Sequence, residues 1–474
     1  MDEFLREINT SVFKKWLTFQ EIPDIHLHEE NDGFNDIVVV ETNYCRGEII
    51  FFDDCIIQMV VKDLLSEKDI FFLHFQMNNI KHAIELYQEM VETIRMRISA
   101  PVIKVLLTCT GGFTTGYFAD KLNEAAELLD VDQTFDAVAY SKLYEYADEF
   151  QVVLLAPQVS YQLPVVQSIL SDHKVISIPA KVFAGYDAQA IFSLVDKAFN
   201  KQSYQDFGTN EEDDLSLKIK IPAHHEEHIL VLCLIRTGAV MRMAYRIYDP
   251  DNNILLNQEM IKNTINIADL NDIINTILIR NRKVGRIAIS VPGIVHNGRS
   301  FSLIQEGIND LDLVALIENK FHIPATLHND VNTAAVGYYA SQSRYQSLSF
   351  IFQPVNGNYC GIGSIHQGQL IIGYEHVAGE AQFIPLALSD DVEILGCTPE
   401  GTLEIMGQTI AALISINGPE VIILSAKLIT SIHDLRKEIE KYIPKRYIPQ
   451  IYLIDDFKEY MLLGTMIQSI RTKD

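Results

Sequence analysis

The sequence predicts an α/β protein built from several domains, and three observations predict it. At 474 residues the chain is too long for a single core and points to about three domains. Residues 102–108 form a run rich in Val, Ile and Leu that stops at Cys109. A short loop and a helix-spaced pattern from Gly116 follow, so a buried strand, a loop and a helix succeed one another. From residue 228 onward, strand-like and helix-like runs alternate, as in a mixed sheet packed with helices.

Composition narrows the class. Hydrophobic content of 48% and charged content of 21% are those of an ordinary globular protein. A net charge of −25 repels phosphate backbones, and no Lys/Arg cluster or helix-turn-helix pattern stands out, so nucleic acid is not an expected partner. The first seven residues have neither the basic stretch nor the apolar core of a signal peptide. No apolar run approaches the ~20 residues of a membrane span. Cys45, Cys55, Cys109, Cys233, Cys360 and Cys397 are scattered with no C-x-x-C, which fits a reduced, cytoplasmic setting without disulfides.

Residues 1–98 read as a small α+β unit of no recognised family. Ile37–Glu41, Glu48–Phe52, Cys55–Val61 and Asp69–Phe75 have strand character, and Asn78–Met96 is an amphipathic helix. His26 and His28 beside Glu29 and Glu30 have the residue types of a metal site, but such a cluster is more often a solvated loop, and no metal is expected.

Residues 99–200 carry the chemistry. A strand, a cysteine-headed loop and a helix can hold a phosphate on sulfur, because backbone N–H groups curl around the anion and the helix N-terminus adds its dipole. The same field favours thiolate over thiol at Cys109. Thr110, Gly111, Gly112, Thr114 and Thr115 complete the candidate phosphate loop, with the glycines permitting a tight backbone and the threonines free to cap the helix or donate to phosphate. The alternative is a small buried hydrophobe at a strand end. No Lys follows the glycines, so this is not a nucleotide loop. Thr115 stands where a Cys-x5-Arg phosphatase needs Arg. What remains suits a group that accepts phosphate and passes it on. A helix over Ala188–Phe199 closes the domain. Residues 201–226 read as a polar, acidic linker, in which His224 and His225, like the following His228, are expected to be exposed.

Residues 102–200 resemble enzyme IIB of the lactose/cellobiose (type 3) branch of the bacterial sugar phosphotransferase system. Cys109, Gly112, Thr114 and Thr115 occupy that family's cysteine motif, and Leu154-Leu155-Ala156-Pro157-Gln158-Val159 matches its "LLxPQV" strand. Phe183-Ala184-Gly185-Tyr186-Asp187 loosely echoes a late Tyr-Gly segment. The resemblance implies a four-stranded parallel sheet with helices on both faces and a phosphocysteine at Cys109. It also implies enzyme IIA as phosphate donor and a membrane enzyme IIC as a further partner.

Residues 227–474 resemble the ROK family of sugar kinases and repressors. The carrying stretches are Pro292-Gly293-Ile294-Val295, then His328-Asn329-Asp330-Val331-Asn332, the span Gly361 to Glu380, and Pro419-Glu420-Val421-Ile422-Ile423. This implies two actin-like, ribonuclease-H-type lobes around a sugar cleft, and a homodimer through this domain. Asn329, Asp330 and Glu380 match sugar-facing positions, with Asp330 at the catalytic aspartate. The alternative is that Asn329 or Asp330 only caps the helix Val331–Ser341. The sequence departs from the family at nucleotide and zinc positions. Arg236-Thr237-Gly238 lacks the first-loop Asp, and Tyr359 replaces a glycine of the second loop. Ser425-Ala426-Lys427 replaces the family's "GGG". Of the zinc ligands only Cys397 survives, with Phe383 and Thr402 in place of others. The expectation is a phosphotransferase-system component or sensor, phosphorylated on Cys109, whose ROK-like pseudokinase domain binds a sugar or sugar phosphate and uses no cofactor. The alternatives are a bifunctional protein with ATP-dependent sugar kinase activity, and a ROK-type regulator.

Overall fold

The structure, a computed structural model, describes residues 3–20, 22–23, 25–64, 68–99, 103–111, 113–129, 133–171, 173–200, 226–237, 240–303, 308–354 and 359–471. Within the expected linker, 201–225 lie outside the described residues. The chain forms two compact units: Met1–Ala100 with Pro222–Thr333 and Met461–Asp474, and Pro101–Ile221 with Ala334–Tyr460.

The first unit is organised on a ten-stranded sheet. Five antiparallel N-terminal strands run in chain order, His26–Asn31, Asp36–Glu41, Cys45–Phe52, Ile56–Asp63 and Asp69–Gln76. Cys45–Phe52 alternates between buried and partly exposed residues, the signature of a strand with one face against a core. The helix Ile80–Ser99 supplies Tyr87, Met90, Val91 and Ile94 to that core. The edge strand His26–Asn31 was not expected. Its sequence has no apolar alternation, and it places His26 and His28 in a strand rather than a loop, with His28 Nε2 2.9 Å from Glu30. The helix Glu3–Leu17, also not foreseen, buries Phe13 and Leu17.

The sheet continues without a break into the C-terminal part of the chain. Asp69–Gln76 pairs antiparallel with Ile254–Lys262, and the order proceeds through Val240–Tyr248, His228–Thr237, Val284–Val291 and Ala325–Asn329. One cluster of buried side chains runs from Phe13 to Leu327, so residues 1–99 share a core with the later strands. Polar groups cross the junction too. Buried His74 Nε2 lies 2.7 Å from the Tyr245 hydroxyl, and Lys262 Nζ, which also donates to Asp269 on its own side at 2.6 Å, meets Glu89 across the junction at 2.6 Å. Desolvation holds His74 well below its usual range, at about 4, so it is neutral there.

The second unit holds two sheets. A four-stranded parallel sheet has the order Gln133–Ala139, Ile103–Cys109, Val152–Leu155, Lys174–Ser177. Helices lie on both faces, as expected. Phe113–Leu129 and Ala188–Asn200 cover Val105, Leu107 and Leu154, while Leu143–Tyr146 and Leu163–Ile169 cover Leu106, Val153 and Leu155. A five-stranded mixed sheet has the order Gln369–Ile371, Gly361–His366, Leu348–Gln353, Val421–Ala426, Gln450–Leu453, and packs on Pro399–Asn417 and Ile432–Glu440. Among the described residues no helix is long and apolar enough to cross a membrane.

Candidate functional site

The cysteine corner is built by strand register. Cys109 ends its strand opposite Ala139, and on the other side the Ala156 N–H donates to the Thr108 carbonyl at 2.9 Å. The chain then turns through Thr110 and Gly111, both exposed. A Cβ on Gly111 would meet nothing within 4 Å, so packing does not demand glycine there. Gly112 lies outside the described residues. The helix begins at Phe113, three residues before the apolar spacing suggested. Thr114 and Thr115 therefore fall in its first turn, and neither is the cap. Thr114 is exposed, whereas Thr115 is buried with its hydroxyl 3.2 Å from Cys109 Sγ.

This geometry gives the thiol a hydroxyl neighbour and a helix start, whose first-turn N–H groups have no partner within the helix. Cys109 is 5% exposed and sits beside Phe118, Leu122 and Phe183. The late Tyr-Gly segment reaches the same corner. The Tyr186 ring packs edge-on against Phe118 at 5.2 Å and against exposed Tyr117 at 5.9 Å, on a backbone with φ 47°. The "LLxPQV" segment supplies the neighbouring strand Val152–Leu155 and the 3-10 turn Pro157–Gln162.

The second corner lies in the first unit. Gly293, at φ 97°, follows the strand Val284–Val291, and Asn329 ends the strand parallel to it. Asn329 Nδ2 donates to the Gly293 carbonyl at 2.9 Å, and its Oδ1 accepts the Asn332 N–H at 2.9 Å. Asp330 Oδ1 accepts the Val331 N–H at 2.8 Å, and its carbonyl accepts the Thr333 hydroxyl at 2.6 Å. The capping alternative is thus what the bonds of Asn329 describe. His328 is buried and held neutral by desolvation, its pKa pushed down to about 4.

Glu380 belongs to the second unit. It is half-buried, and burial raises its carboxyl above the usual range even though Gln382 Nε2 donates to it at 2.9 Å. Gly379 before it has φ 96°, and a Cβ there would lie 1.8 Å from the Ile362 carbonyl oxygen, so only glycine fits.

The nucleotide and zinc positions are described in part. Gly238, Gly357 and Asn358 lie outside the described residues. Tyr359 packs against the core of the five-stranded sheet. Phe383 is exposed, while Cys397 and Thr402 are buried. The Cys397 thiol donates to the Glu393 carbonyl at 3.1 Å, and burial first, then the Glu145 charge, pushes its pKa up to about 11. Among the described residues no three His, Cys, Asp or Glu side chains are grouped to hold a metal. These residues do not fit the structural zinc of the ROK resemblance.

Comparison with known proteins separates the two regions. Residues 104–193 match the family described as PTS system, Lactose/Cellobiose specific IIB subunit, and residues 235–406 match the ROK family. The chain joins a lactose/cellobiose-type IIB domain to a ROK domain. A stretch of 56 residues is 43% identical to the PTS system lactose-specific EIICB component of Streptococcus mutans, spanning 12% of this chain and 10% of that relative. The lactose-specific IIB component domain from Streptococcus pneumoniae aligns over 20% of this chain and 97% of its own, at 22% identity and TM-score 0.19. A ROK family glucokinase from Streptomyces griseus, solved with glucose and AMPPNP, aligns over 52% of this chain and 99% of its own, at 15% identity and TM-score 0.41. A ROK family transcriptional regulator, a homolog of the E. coli MLC protein, aligns over 51% and 78%, at 13% identity and TM-score 0.37.

Sequence reading missed the contacts that the IIB domain makes elsewhere in the second unit. Gln162 Nε2 donates to Glu400 at 3.1 Å, and Leu428 is buried among IIB side chains. No periodicity or motif marks residues so far apart in the chain.

Proposed function

We propose that the IIB domain accepts a phosphoryl group on Cys109 and that the ROK domain binds a sugar or sugar phosphate without turning over ATP. Enzyme IIA of the phosphotransferase system is the donor in this reading, and enzyme IIC or the sugar it carries the recipient. Cys109 Sγ attacks phosphorus in the donor's phosphohistidine. The S–P bond forms as the P–N bond breaks, and the imidazole leaves with the electron pair. The carrying observation is the cysteine corner: a thiol at the end of a parallel strand, 3.2 Å from the Thr115 hydroxyl, at the mouth of an exposed turn and a helix start. With Thr115 in the place a phosphatase gives to Arg, the thioester of phosphate is suited to transfer rather than rapid hydrolysis.

The sequence departures at Arg236-Thr237-Gly238, Tyr359 and Ser425-Ala426-Lys427 support a ROK domain without an ATP function, and Asn329, Asp330 and Glu380 remain its proposed ligand-facing residues. The proposed partition is the IIB domain over 99–200, a linker over 201–226 and the ROK domain over 227–474, with residues 1–98 as an extension that shares the sheet and core of the ROK domain rather than a separate unit, in a cytoplasmic protein that pairs as a homodimer. The test has two arms. Labelled phosphoenolpyruvate, the general phosphotransfer proteins and a lactose/cellobiose-type IIA should place label on the Cys109 peptide. Calorimetry should give saturable heat with a sugar or sugar phosphate and none with millimolar magnesium-ATP. Sugar phosphorylation at the expense of ATP would favour the bifunctional reading.

A further inference from the structure

Helices of the IIB domain cover both faces of its sheet, and one face also takes a residue from the ROK region. Helices of the IIB domain close the face of Val105, Leu107 and Cys109. The opposite face, with Leu106, Val153 and Leu155, buries Tyr144, Val159 and also Leu428, which is 2% exposed and follows the ROK strand Val421–Ala426. Two polar contacts also join the IIB domain to the ROK region. Gln162 Nε2 donates to Glu400 Oε1 at 3.1 Å, and the Glu145 carboxylate lies 3.9 Å from Cys397 Sγ. The ROK side of this seat is the segment Val392–Thr402, a short helix Val392–Leu395 that leads into the start of the helix Pro399–Asn417, and it has no donor set for zinc. It is drawn tight at Gly401, where a Cβ would lie 2.3 Å from the Leu395 carbonyl oxygen.

The seat gathers at the sheet end that carries Cys109. The turn Tyr140–Lys142 directly follows Ala139, the register partner of Cys109. The turn Pro157–Gln162 follows Ala156, whose N–H bonds to Thr108. Neighbouring strands are about 4.8 Å apart, so the two turns flank the cysteine loop, one on each side. The carboxylates of Glu145, Glu393 and Glu400 lie in the seat and outnumber its Lys142 ammonium. A phosphoryl group brings a further charge of about −1.5 to −2 to the loop. Across a separation on the order of 10 Å, repulsion between unit charges changes an equilibrium roughly two- to tenfold.

We propose that this seat is the contact through which the charge of the Cys109 loop reaches the ROK domain: negative charge on the loop loosens the segment Val392–Thr402 from the IIB domain. The proposal rests on the reading of Cys109 as phosphate acceptor and names how that site is read out. The test separates the two by supplying the charge without phosphotransfer. Full-length Cys109→Asp and Cys109→Asn proteins are compared by amide hydrogen exchange over residues 392–402. Because Cys109 is 5% exposed, a carboxylate there strains the loop, and exposed Thr110 supplies a parallel pair, Thr110→Asp and Thr110→Asn. Exchange is expected to be roughly two- to tenfold faster with Asp than with Asn, and Glu400→Gln, which keeps an acceptor for Gln162 but removes the charge, is expected to abolish the difference. Equal exchange in both pairs overturns the proposal. So does a difference that survives Glu400→Gln, since the effect would then not run through the seat. Neither outcome bears on whether Cys109 takes up phosphate, which the labelling experiment decides.

Discussion

Two corners of this protein share one construction and divide its polar groups differently. Cys109 and Asn329 each end a parallel strand, and a helix follows, directly after Asn329 and after a short turn at Cys109. At the Asn329 corner, both ends of the amide are engaged in backbone bonds, to the Gly293 carbonyl and the Asn332 N–H, and Asp330 takes the Val331 N–H. At the Cys109 corner, the turn through Thr110 and Gly111 is exposed, and one contact of the thiol is to the Thr115 hydroxyl, a group that can donate to sulfur or to an arriving oxyanion. The lesson is that a matched motif residue becomes a candidate reagent according to what its polar atoms already do. By that measure the amide of Asn329 shapes the fold of its corner, and Cys109 is the group we propose for chemistry.

Substitutions can break or sharpen this contrast. The largest effect is expected at Gly379, a corner set by packing alone. Gly379→Ala forces a Cβ onto the Ile362 carbonyl at a φ of 96° and should cost about 3 kcal/mol or more, read by denaturant unfolding. Asn329→Ala should cost about 1–3 kcal/mol, because it removes a cap and strands the Gly293 carbonyl, whereas Asp330→Ala should cost about 1 kcal/mol or less. Equal costs for the two would erase the distinction drawn between them, and a ligand titration of Asp330→Ala then shows whether Asp330 serves the cleft.

At the cysteine corner the expected change is in reactivity rather than in stability. Thr115→Val removes the hydroxyl beside Sγ, and alkylation of Cys109 below pH 8 should slow by about three- to tenfold. Burial pushes Cys45 and Cys397 up to about 11 and Cys360 to about 12, so these three should stay unmodified in the folded protein. Partly exposed Cys55 is the informative competitor. The smallest effect is at Glu380. Its folded pKa is raised by burial, so the carboxyl stabilises the fold below its ordinary value of 4.5 and that contribution is lost as pH rises through the folded pKa. Glu380→Gln should therefore raise the melting temperature slightly at pH 7 and give no advantage below pH 4.5.

Much of this was legible in the sequence because the signals were local. The Val/Ile/Leu run into Cys109 was long enough to specify a strand, and the helix after it carried apolar residues at a regular spacing. The strands from Ile37 to Phe75 came within a few residues of their final bounds for the same reason. His26–Asn31 was missed because an exposed edge strand of polar residues has no alternation to read, and it is held by pairing with Asp36–Glu41. The continuation of the N-terminal strands into the later sheet was hidden for a different reason. It depends on pairs such as His74 with Tyr245, which are apart in sequence and meet only after both strands have formed. The helix start at Phe113 was misplaced because the apolar spacing becomes regular only a turn later.

The central claim is that Cys109 is the residue that takes up phosphate, and intact-mass measurement tests it most directly. The full-length protein, incubated with phosphoenolpyruvate, the general phosphotransfer proteins and a lactose/cellobiose-type IIA, should gain the mass of one phosphoryl group, and the Cys109→Ser protein should gain none. A Cys109→Ser protein that gains the same mass under the same conditions would contradict the account.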